Sequence, residues 1–343
     1  MRSVMLIRRP AALLAVLTLA LTGCGARVAP GTGNAADRPS AHYPVTIDNC
    51  GVRTTYDKAP RRVVTNDVGI ADIMFALGLE DHMAGYVMPA YRGDLDAVPW
   101  KSAYDKVPWL SKKAITKEMA LDARADLVFA GWHYGFGEES GVTPASLKKL
   151  GIGSYVLTES CRNGTGDGSR GVMPPLEALY TDLETLGKIF DVEDRAAALI
   201  KKYKKQVADA QAKAPEEGKR PSVFLYDGGE DKPLTSGRYA GPHDIITKAG
   251  GRHVMKDLKD SWTTVGWETV VERNPDVIVI NDYGTPSAAR KKAFLESYPP
   301  LANVSAIKHH RIYVMDYADL VESPRNPAAV TALAEYLRDV HTG

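Results

Sequence analysis

The chain has 343 residues, a formal net charge of +1 at pH 7 and an apolar share of 44%. These values are typical of a packed globular protein, and the lack of a basic block excludes the electrostatic footprint of a nucleic-acid-binding protein. After residue 24 no apolar run is long enough to cross a bilayer. About 320 residues remain beyond that point, a length that predicts two domains.

The N-terminal segment predicts export and anchoring. A basic start with Arg2, Arg8 and Arg9 precedes the apolar run AALLAVLTLAL, and LTGC then ends at Cys24. This order predicts a secretory signal peptide over residues 1–23. Its closing cysteine resembles a lipobox, which implies that Cys24 is lipidated and holds the protein on the extracytoplasmic face of a bacterial membrane. The alternative is an ordinary signal peptide with an incidental cysteine. If Cys24 is the lipid anchor, residues 24–42 form a flexible tether between the membrane and the folded part of the chain.

Two cysteines remain in the exported part, Cys50 and Cys161. An even number of cysteines in an oxidising compartment predicts a disulfide bond between them. Chain entropy gives such a loop of about 110 residues a stabilisation of at most about 4–5 kcal/mol. The alternative is two free, buried thiols.

Apolar runs rich in β-branched and aromatic residues alternate with helix patterns along the chain. The predicted strands are RRVVTN, HMAGYV, DLVFAG and SYVLTE in the first half, and SVFLYDGG, DVIVIND and RIYVMDY in the second. The predicted helices between them include GIADIMFALGL, TPASLKKLG, PHDIITKAGG and NPAAVTALAEYLRDV. Buried runs that alternate with helices indicate parallel sheets covered on both faces, so the fold class is α/β.

One long helical segment interrupts this alternation between Pro175 and about Lys213. Its apolar stripe, at three- to four-residue spacing, consists of Leu176, Leu179, Leu183, Leu186 and Phe190. The pattern predicts a rigid linking helix over residues 175–214. It would join an N-terminal α/β lobe at residues 43–174 to a C-terminal α/β lobe at residues 215–343.

A phrase in the first half recurs in the second. TKEMALDARADLVFAG contains Glu118 and Asp126, and GWETVVERNPDVIVIN contains Glu268 and Asp276, each pair eight positions apart. In both phrases a glutamate begins a helix pattern and an aspartate precedes an apolar strand. The repeat predicts two lobes of similar construction.

The order of these segments resembles the class III substrate-binding proteins of ABC transporters, which deliver iron–siderophore complexes and cobalamin. The resemblance covers the chain from about Tyr43 onward. It is carried by RRVVTNDVGIADIMFALGL, TKEMALDARADLVFAG, the linking helix, PLTSGRYAGPHDIITKAGG, VGWETVVERNPDVIVI and RIYVMDYADLVESPRNPAAV. It implies two Rossmann-like lobes joined by a rigid helix, with the ligand in the cleft between them.

The resemblance also implies a role for the repeated glutamates. In the family one surface glutamate on each lobe docks onto arginines of the membrane permease, and Glu118 and Glu268 match those positions. Arg–carboxylate pairs are bidentate and orientation-specific, which suits docking. The alternative is that each glutamate simply lies near a helix start, where negative charge is favourable.

The loop WHYGFGEESG follows a predicted strand and contains Trp132, Tyr134 and Phe136. Ligands of open α/β sheets bind at the carboxyl ends of the strands, and exposed aromatic residues there suit a large flat or macrocyclic ligand. By resemblance, Tyr134 stands where hydroxamate-siderophore binders place a ligand-facing tyrosine. Lys112 stands where they have an arginine, and lysine lacks the planar fork of arginine. For Trp132 and Phe136 the alternative is ordinary packing under a loop.

Further ligand-contacting candidates lie near other strand ends in both halves of the chain. They are Tyr91, Arg92, Arg170, Tyr226, Arg238, Trp262 and Trp267. Acidic residues lie among these basic ones. An anionic catecholate complex would favour a cleft lined mainly by basic residues, and the sequence does not predict such a cleft. A neutral or weakly cationic hydroxamate complex fits better.

Three functions remain open. The first is a monomeric, lipid-anchored receptor for an iron(III)–siderophore complex, with no cofactor or metal site of its own because the siderophore coordinates the iron. The second is the same receptor for cobalamin, another corrinoid or haem. The third is an exported enzyme, although neither a GxSxG elbow nor a GxxxxGK[ST] loop is present in the sequence.

Overall fold

The computed structural model describes residues 42–88, 92–161 and 173–342. The strands in chain order are β1 (Val45–Asn49), β2 (Val52–Tyr56), β3 (Val63–Asn66), β4 (Met83–Val87), β5 (Trp109–Ser111), β6 (Leu127–Trp132), β7 (Gly135–Phe136), β8 (Gly153–Val156), β9 (Ser222–Tyr226), β10 (Leu234–Ser236), β11 (Arg252–His253), β12 (Trp262–Thr264), β13 (Val277–Asp282) and β14 (Ile312–Asp316). Every strand predicted from sequence is present; the hairpin β1–β2 and the short strands were not predicted.

The helices connect the strands and cover both sheets. In chain order they are α1 (Val68–Ala76), α2 (Lys101–Lys106), α3 (Lys117–Asp122), α4 (Pro144–Lys149), α5 (Pro175–Phe190), α6 (Glu193–Gln211), α7 (Gly241–Lys248), α8 (Trp267–Arg273), α9 (Ala288–Ser297), α10 (Ser305–Lys308), α11 (Tyr317–Leu320) and α12 (Asn326–Thr342).

Two parallel sheets form the body of the protein. The first has the order β5-β4-β3-β6-β7, with β8 also paired to β6, and the second has the order β11-β9-β13-β14. All pairings within these sheets are parallel, whereas β1–β2 and β10–β12 are antiparallel ribbons. The α/β prediction is therefore confirmed.

The linking segment is two helices rather than the single long helix that the sequence predicted. Helix α5 ends at Phe190, and Asp191 adopts a left-handed conformation (φ 58°) that stops it. Helix α6 begins at Glu193 and packs along α5. Aspartate tolerates the left-handed region better than most residues, so a break there costs little.

The central core is shared by both sheets. One face of each sheet contributes to a single apolar cluster, with Phe129 from the first sheet, Val223 and Val279 from the second, and Leu183 of α5 and Leu333 of α12 between them. The opposite faces pack in two separate clusters. The helix layer therefore joins the two sheets through continuous packing.

The aspartates of the repeated phrase play equivalent roles in the two sheets. The Asp126 carboxylate accepts hydrogen bonds from the backbone N–H groups of Arg61 (2.7 Å) and Arg62 (2.9 Å), just before β3. The Asp276 carboxylate accepts from the backbone N–H (2.8 Å) and hydroxyl (2.7 Å) of Ser222, at the start of β9. Each aspartate thus ties the beginning of one strand to its neighbour.

Cys50 and Cys161 form a disulfide bond, with Cα atoms 5.3 Å apart. It joins the turn of the β1–β2 hairpin to the segment after β8. This confirms the predicted pairing over the alternative of free thiols.

Buried charged and acidic groups connect the two halves of the chain. Arg325, which precedes α12, donates from Nε to Asp72 Oδ2 in α1 at 2.6 Å, and both side chains are almost fully buried. Nearby, the backbone N–H of Glu159 donates to Glu322 Oε2 (2.9 Å) and the N–H of Glu322 donates to Glu159 Oε2 (2.8 Å). Burial, with Asp182 close by, raises the pKa of Glu322 well above its ordinary value.

Candidate ligand-binding site

A cavity of about 640 Å³ lies where the carboxyl ends of strands from both sheets meet. Asn66 ends β3, Asp227 follows β9, Asn281 lies near the end of β13 and Tyr317 follows β14. The lining residues are Asn66, Asp67, Ala114, His133, Tyr134, Gly135, Asp227, Leu234, Asp260, Ser261, Trp262, Asn281, Tyr283 and Tyr317. This is the position at which open α/β sheets bind ligands.

Asp67 forms part of the cavity wall and caps α1. Its backbone φ is 95°, an unusual value for a residue other than glycine, and its side chain accepts from the Gly69 N–H at 3.3 Å. Tyr317, which follows β14 in the second half of the chain, donates a hydrogen bond from its hydroxyl to Asp67 Oδ2 at 3.1 Å. Burial raises the pKa of Asp67 to about 6. Backbone strain of this kind concentrates at functional sites.

Asp227 forms the opposite acidic corner. It accepts from Asn281 Nδ2 at 2.8 Å, and the buried Lys291 ammonium lies 3.8 Å from its Oδ1. Burial raises the pKa of Asp227 and lowers that of Lys291. Asn281 Oδ1 is buried and accepts no hydrogen bond within the described part of the chain. In this corner the partly exposed Asp227 carboxylate is the acceptor that a ligand donor can reach.

Aromatic side chains supply much of the remaining wall. Tyr283 and Tyr317 pack against each other with ring centroids 4.4 Å apart and ring planes tilted by 31°. Trp262 lies half-buried at the start of β12. Tyr134 is 7% exposed on the opposite wall. Gly135 has a φ of 113°, and a Cβ there would lie 2.7 Å from the Asn66 side chain. Glycine therefore lets this loop approach β3 closely.

Two of the predicted ligand residues, Tyr134 and Trp262, line this cavity. Trp132 lies beside it on the same loop but packs edge-on against Phe136, at a centroid distance of 6.1 Å. Trp132 is not among the residues that line the cavity, so its contact with a ligand stays a prediction.

Arg92 and Lys112 lie together outside the cavity lining. The Arg92 guanidinium is 4.3 Å and the Lys112 ammonium 5.4 Å from the centre of the Trp109 ring. Arg92 also donates to the Tyr86 hydroxyl at 3.3 Å. Cation–π contacts of this kind hold both side chains against the first sheet.

Three other predicted ligand residues lie away from the cavity. Tyr226 is 1% exposed and Trp267 is 4% exposed, and both pack in the outer core of the second sheet. The period of two along β9 places Tyr226 on the same face as Phe224, which is the face turned from the central helices. Arg238 is exposed and lies over Tyr239. Tyr91 and Arg170 lie outside the described residues, as does Cys24.

Sequence analysis missed most of the polar wall: Asn66, Asp67, Asn281, Tyr283 and Tyr317 were not selected. Each lies at, or just beyond, the carboxyl end of a predicted strand. Asn66, Asp67 and Asn281 are neither basic nor aromatic, and Tyr283 and Tyr317 were passed over although they are aromatic. Position at a strand end is the signal that all five share.

Glu118 and Glu268 are both exposed, in the first turns of α3 and α8. Hydrogen bonding from its own backbone N–H and from Thr116 lowers the pKa of Glu118. The Glu118 carboxylate is therefore charged at neutral pH, and both glutamate side chains are accessible to a partner.

One group of metal-ligating residue types lies elsewhere in the described chain. His42 Nδ1 is 3.3 Å from Asp191 Oδ1 and 3.6 Å from Glu193 Oε1, while His42 Nε2 bonds the Lys188 carbonyl at 2.7 Å. These contacts fasten the start of the described chain to the α5–α6 turn. None of the helices searched in the described chain has the length and apolarity needed to span a membrane.

Comparison with known proteins gives a consistent result. A family model described as periplasmic binding protein matches residues 63–318. The chain is 27% identical over 336 residues to YvrC of Bacillus subtilis (strain 168), an uncharacterized ABC transporter substrate-binding lipoprotein, covering 96% of this chain and 97% of that protein. It is 23% identical over 331 residues to the petrobactin-binding protein YclQ of the same organism, covering 94% and 95%.

A solved structure also matches. It is the ABC-type Fe3+-hydroxamate transport system protein from Saccharomonospora viridis DSM 43017, with a TM-score of 0.70 and 25% identity, covering 86% of this chain and 99% of that one. Three findings point to the same family. They are the two parallel sheets around shared helices, the cavity at their strand ends and the family match across most of the chain. The chain belongs to the periplasmic binding protein family, whose members are substrate-binding components of ABC transport rather than enzymes.

Proposed function

We propose that this chain captures a neutral or cationic iron(III)–hydroxamate complex and delivers it to an ABC permease. The observation that carries the proposal is the charge of the cavity. Three carboxylates, of Asp67, Asp227 and Asp260, line it, and no lysine or arginine is among the described lining residues. The buried Lys291 ammonium, 3.8 Å from Asp227, offsets part of one of these charges from behind the wall, so the lining keeps a negative excess. Such a wall repels an anionic complex and favours a cationic one.

The cavity also suits the shape of such a ligand. Its volume of about 640 Å³ lies within the range of small-molecule sites, and aromatic rings on both walls can pack against a bulky complex. The siderophore supplies all ligands to the iron, so the protein contacts only the outer surface of the complex. The hydroxamate description of the Saccharomonospora viridis structure supports this substrate class, and the siderophore named in YclQ supports only the broader class of iron–siderophore complexes.

Delivery requires that the receptor stay near the membrane and dock there. We propose that lipidation of Cys24 provides the anchor and that Glu118 and Glu268 dock on the permease. The lipoprotein description of YvrC supports the first assignment. The exposure of both glutamates at equivalent helix starts supports the second.

The ligand class is tested by titrating the soluble form and following tryptophan fluorescence. The panel contains a ferric trihydroxamate with a free ammonium group, a neutral ferric trihydroxamate, an anionic ferric tricatecholate, a corrinoid and haemin. We expect binding to weaken from the ammonium-bearing complex to the neutral one and to be weakest for the tricatecholate. Preference for the tricatecholate, the corrinoid or haemin would overturn the substrate assignment.

The site is tested with variants in both walls. We expect Tyr134→Ala and Trp262→Ala each to weaken binding by about 1–3 kcal/mol, and Tyr239→Ala, an exposed tyrosine outside the cavity, to leave it unchanged. Asp260→Asn should weaken the ammonium-bearing complex about three- to tenfold and spare the neutral one. Asp231→Asn, an exposed aspartate outside the lining, is the matched charge control. Equal effects of Asp260→Asn on both complexes would contradict the charge argument.

A further inference from the structure

A buried acidic cluster joins the two halves of the chain. Asp182 lies in α5, Glu159 follows β8, and Glu322 lies between α11 and α12. Each of these residues is 3% exposed or less. Glu159 and Glu322 each accept a hydrogen bond from the backbone N–H of the other. Buried charges are costly unless they are paired, so the protonation state of this cluster affects the stability of the junction.

The surroundings of Asp182 favour a carboxylate. Its Oδ1 accepts from the Tyr155 hydroxyl at 2.8 Å and from the Thr158 hydroxyl, and its Oδ2 accepts from the Thr158 N–H at 3.0 Å. Burial raises the pKa of Asp182, whereas these donors and the Glu322 carboxyl lower it. Of the two acids, Asp182 is therefore the one arranged to accept hydrogen bonds.

The surroundings of Glu322 favour the neutral acid. Its Oε2 accepts from the Glu159 N–H, whereas its Oε1 is buried and receives no hydrogen bond from a donor in the described part of the chain. The Glu322 carboxyl lies within hydrogen-bonding distance of the Asp182 carboxyl. Among the described residues, no lysine, arginine or histidine forms an ion pair with either acid. Two carboxyl groups in contact without a cation need a proton between them, and Glu322 Oε1 is the atom placed to carry it.

We infer that Glu322 is a neutral carboxylic acid at neutral pH, that its Oε1–H donates to the Asp182 carboxylate, and that this proton is a latch between the two halves of the protein. Hydroxide can remove the proton as water, which leaves two facing carboxylates beside Glu159 in a dry junction. Charge repulsion and the cost of desolvation then both oppose the packing. The inference does not depend on which ligand the cavity binds.

The latched segment has no room to adjust. A Cβ at Gly69 in α1 would lie 2.4 Å from the carbonyl oxygen of Glu322, and a Cβ at Gly241 in α7 would lie 2.2 Å from that of Leu320. Glycine therefore lets the starts of both helices approach the backbone of this segment closely. The same segment begins at Tyr317, which lines the ligand cavity. Ionisation of Glu322 would therefore disturb packing that also supports the cavity wall.

Titratable side chains on the neighbouring elements have partners of their own. These pairs are Tyr155 of β8 with Asp182, Asp67 with Tyr317, Asp72 of α1 with Arg325, Asp244 of α7 with the backbone at Leu176, His243 of α7 with His253, and Asp319 of α11 with the backbone at Asp316. Burial raises the pKa of Asp67 to about 6 and that of Asp319 to about 7, so both titrate near neutral pH. The effect of the latch is therefore measured as a difference between two proteins that share these groups.

The protonation state is tested by infrared spectroscopy of the folded protein with ¹³C in its glutamate carboxyl groups, a label that excludes the aspartates. We expect a neutral-acid carbonyl band from glutamate at pH 7.5 in the native protein. It should be lost in Glu322→Gln and retained in Glu296→Gln, an exposed glutamate on α9. Absence of the band from the native protein, or its persistence in Glu322→Gln, overturns the inference.

The latch is tested by urea unfolding of the native protein and Glu322→Gln at pH 4.5, 6.0 and 7.5. Glutamine keeps both contacts, because its carbonyl oxygen can accept from the Glu159 N–H and its amide can donate to Asp182, but it cannot ionise. Burial and Asp182 raise the pKa of Glu322 well above its ordinary value of 4.5. The stability that the neutral acid contributes is fully present below that ordinary value and is lost as the pH rises through the pKa of the folded protein.

We therefore expect the unfolding equilibrium constant of the native protein, relative to that of Glu322→Gln, to rise by up to about tenfold per pH unit above pH 4.5. Parallel pH dependences of the two proteins overturn the latch.

Asp182→Asn keeps the test decisive if Glu322→Gln does not fold. An asparagine amide can donate to Glu322 and stabilise its ionised form. The neutral-acid band should therefore disappear at a lower pH in Asp182→Asn than in the native protein. The same midpoint in both proteins overturns the pairing of Glu322 with Asp182.

Discussion

Asp67→Asn is expected to stabilise the protein at neutral pH while leaving its stability at acid pH nearly unchanged. Asp67 is 4% exposed, and burial raises its pKa from 3.8 to about 6. A group with a raised folded-state pKa contributes stability that is fully present below its unfolded pKa. That stability is lost as the pH rises through the pKa that the group has in the folded protein, because the buried carboxyl must then ionise.

The size of the effect follows from the shift. One pKa unit corresponds to about 1.4 kcal/mol, so a shift of about two units removes about 3 kcal/mol from the free energy of unfolding by pH 7.5. Asparagine does not ionise, still caps α1 by accepting from Gly69, and tolerates a positive φ well. The variant should therefore exceed the native chain by about 3 kcal/mol at pH 7.5 and by about 1 kcal/mol or less at pH 4.5.

The assay is urea unfolding at pH 4.5, 6.0 and 7.5, followed by tryptophan fluorescence. Asp194→Asn, an exposed aspartate in the first turn of α6, is the control and should show no comparable pH-dependent gain. A difference between Asp67→Asn and the native chain that is the same at all three pH values would refute the reasoning. It would mean that Asp67 is ionised, or neutral, throughout this range.

Three further outcomes are expected. Replacing Cys50 and Cys161 by serine should lower the free energy of unfolding by up to about 4–5 kcal/mol. If the thiols of the unsubstituted protein are alkylated after denaturation without reduction, the disulfide is disproved. Arg325→Met should lower the free energy of unfolding by about 3–5 kcal/mol because it leaves Asp72 buried without its partner. Adding Asp72→Asn to that variant should restore most of the loss. If the losses of the two single variants simply add in the double variant, the pairing is excluded. Cys24→Ala should release the protein from membranes, and a processed variant that remains membrane-bound would exclude the lipid anchor.

The strand and helix order could be predicted because it depends on local pattern. Runs such as DVIVIND carry enough β-branched residues to identify a buried strand without knowledge of its neighbours. The linking segment was harder. Its apolar stripe continues through Phe190, and the helix ends only because Asp191 takes the left-handed conformation. Nothing in the pattern of apolar residues marks that turn.

The site was less predictable because it depends on which way each strand-end residue points. Tyr226 and Asp227 are adjacent, yet the first packs in the outer core and the second lines the cavity. Selection by residue type favoured the tyrosine, and the alternation of side chains along β9 decided the outcome. Tyr134 was predicted from its place in an aromatic, glycine-rich loop after a strand and from the family resemblance, and it does line the cavity.

The repeated phrase connects the cavity to the proposed docking surfaces. Ala114 lines the cavity, and the chain then enters α3 and reaches Glu118. Trp262 lines the cavity from the other half, and the chain then enters α8 and reaches Glu268. A ligand that changes the separation of the two walls acts on the same segments that carry the two glutamates. A rigid partner can therefore bind both surfaces at once only when the distance between them has one particular value. A single surface on either half could not make binding depend on that distance.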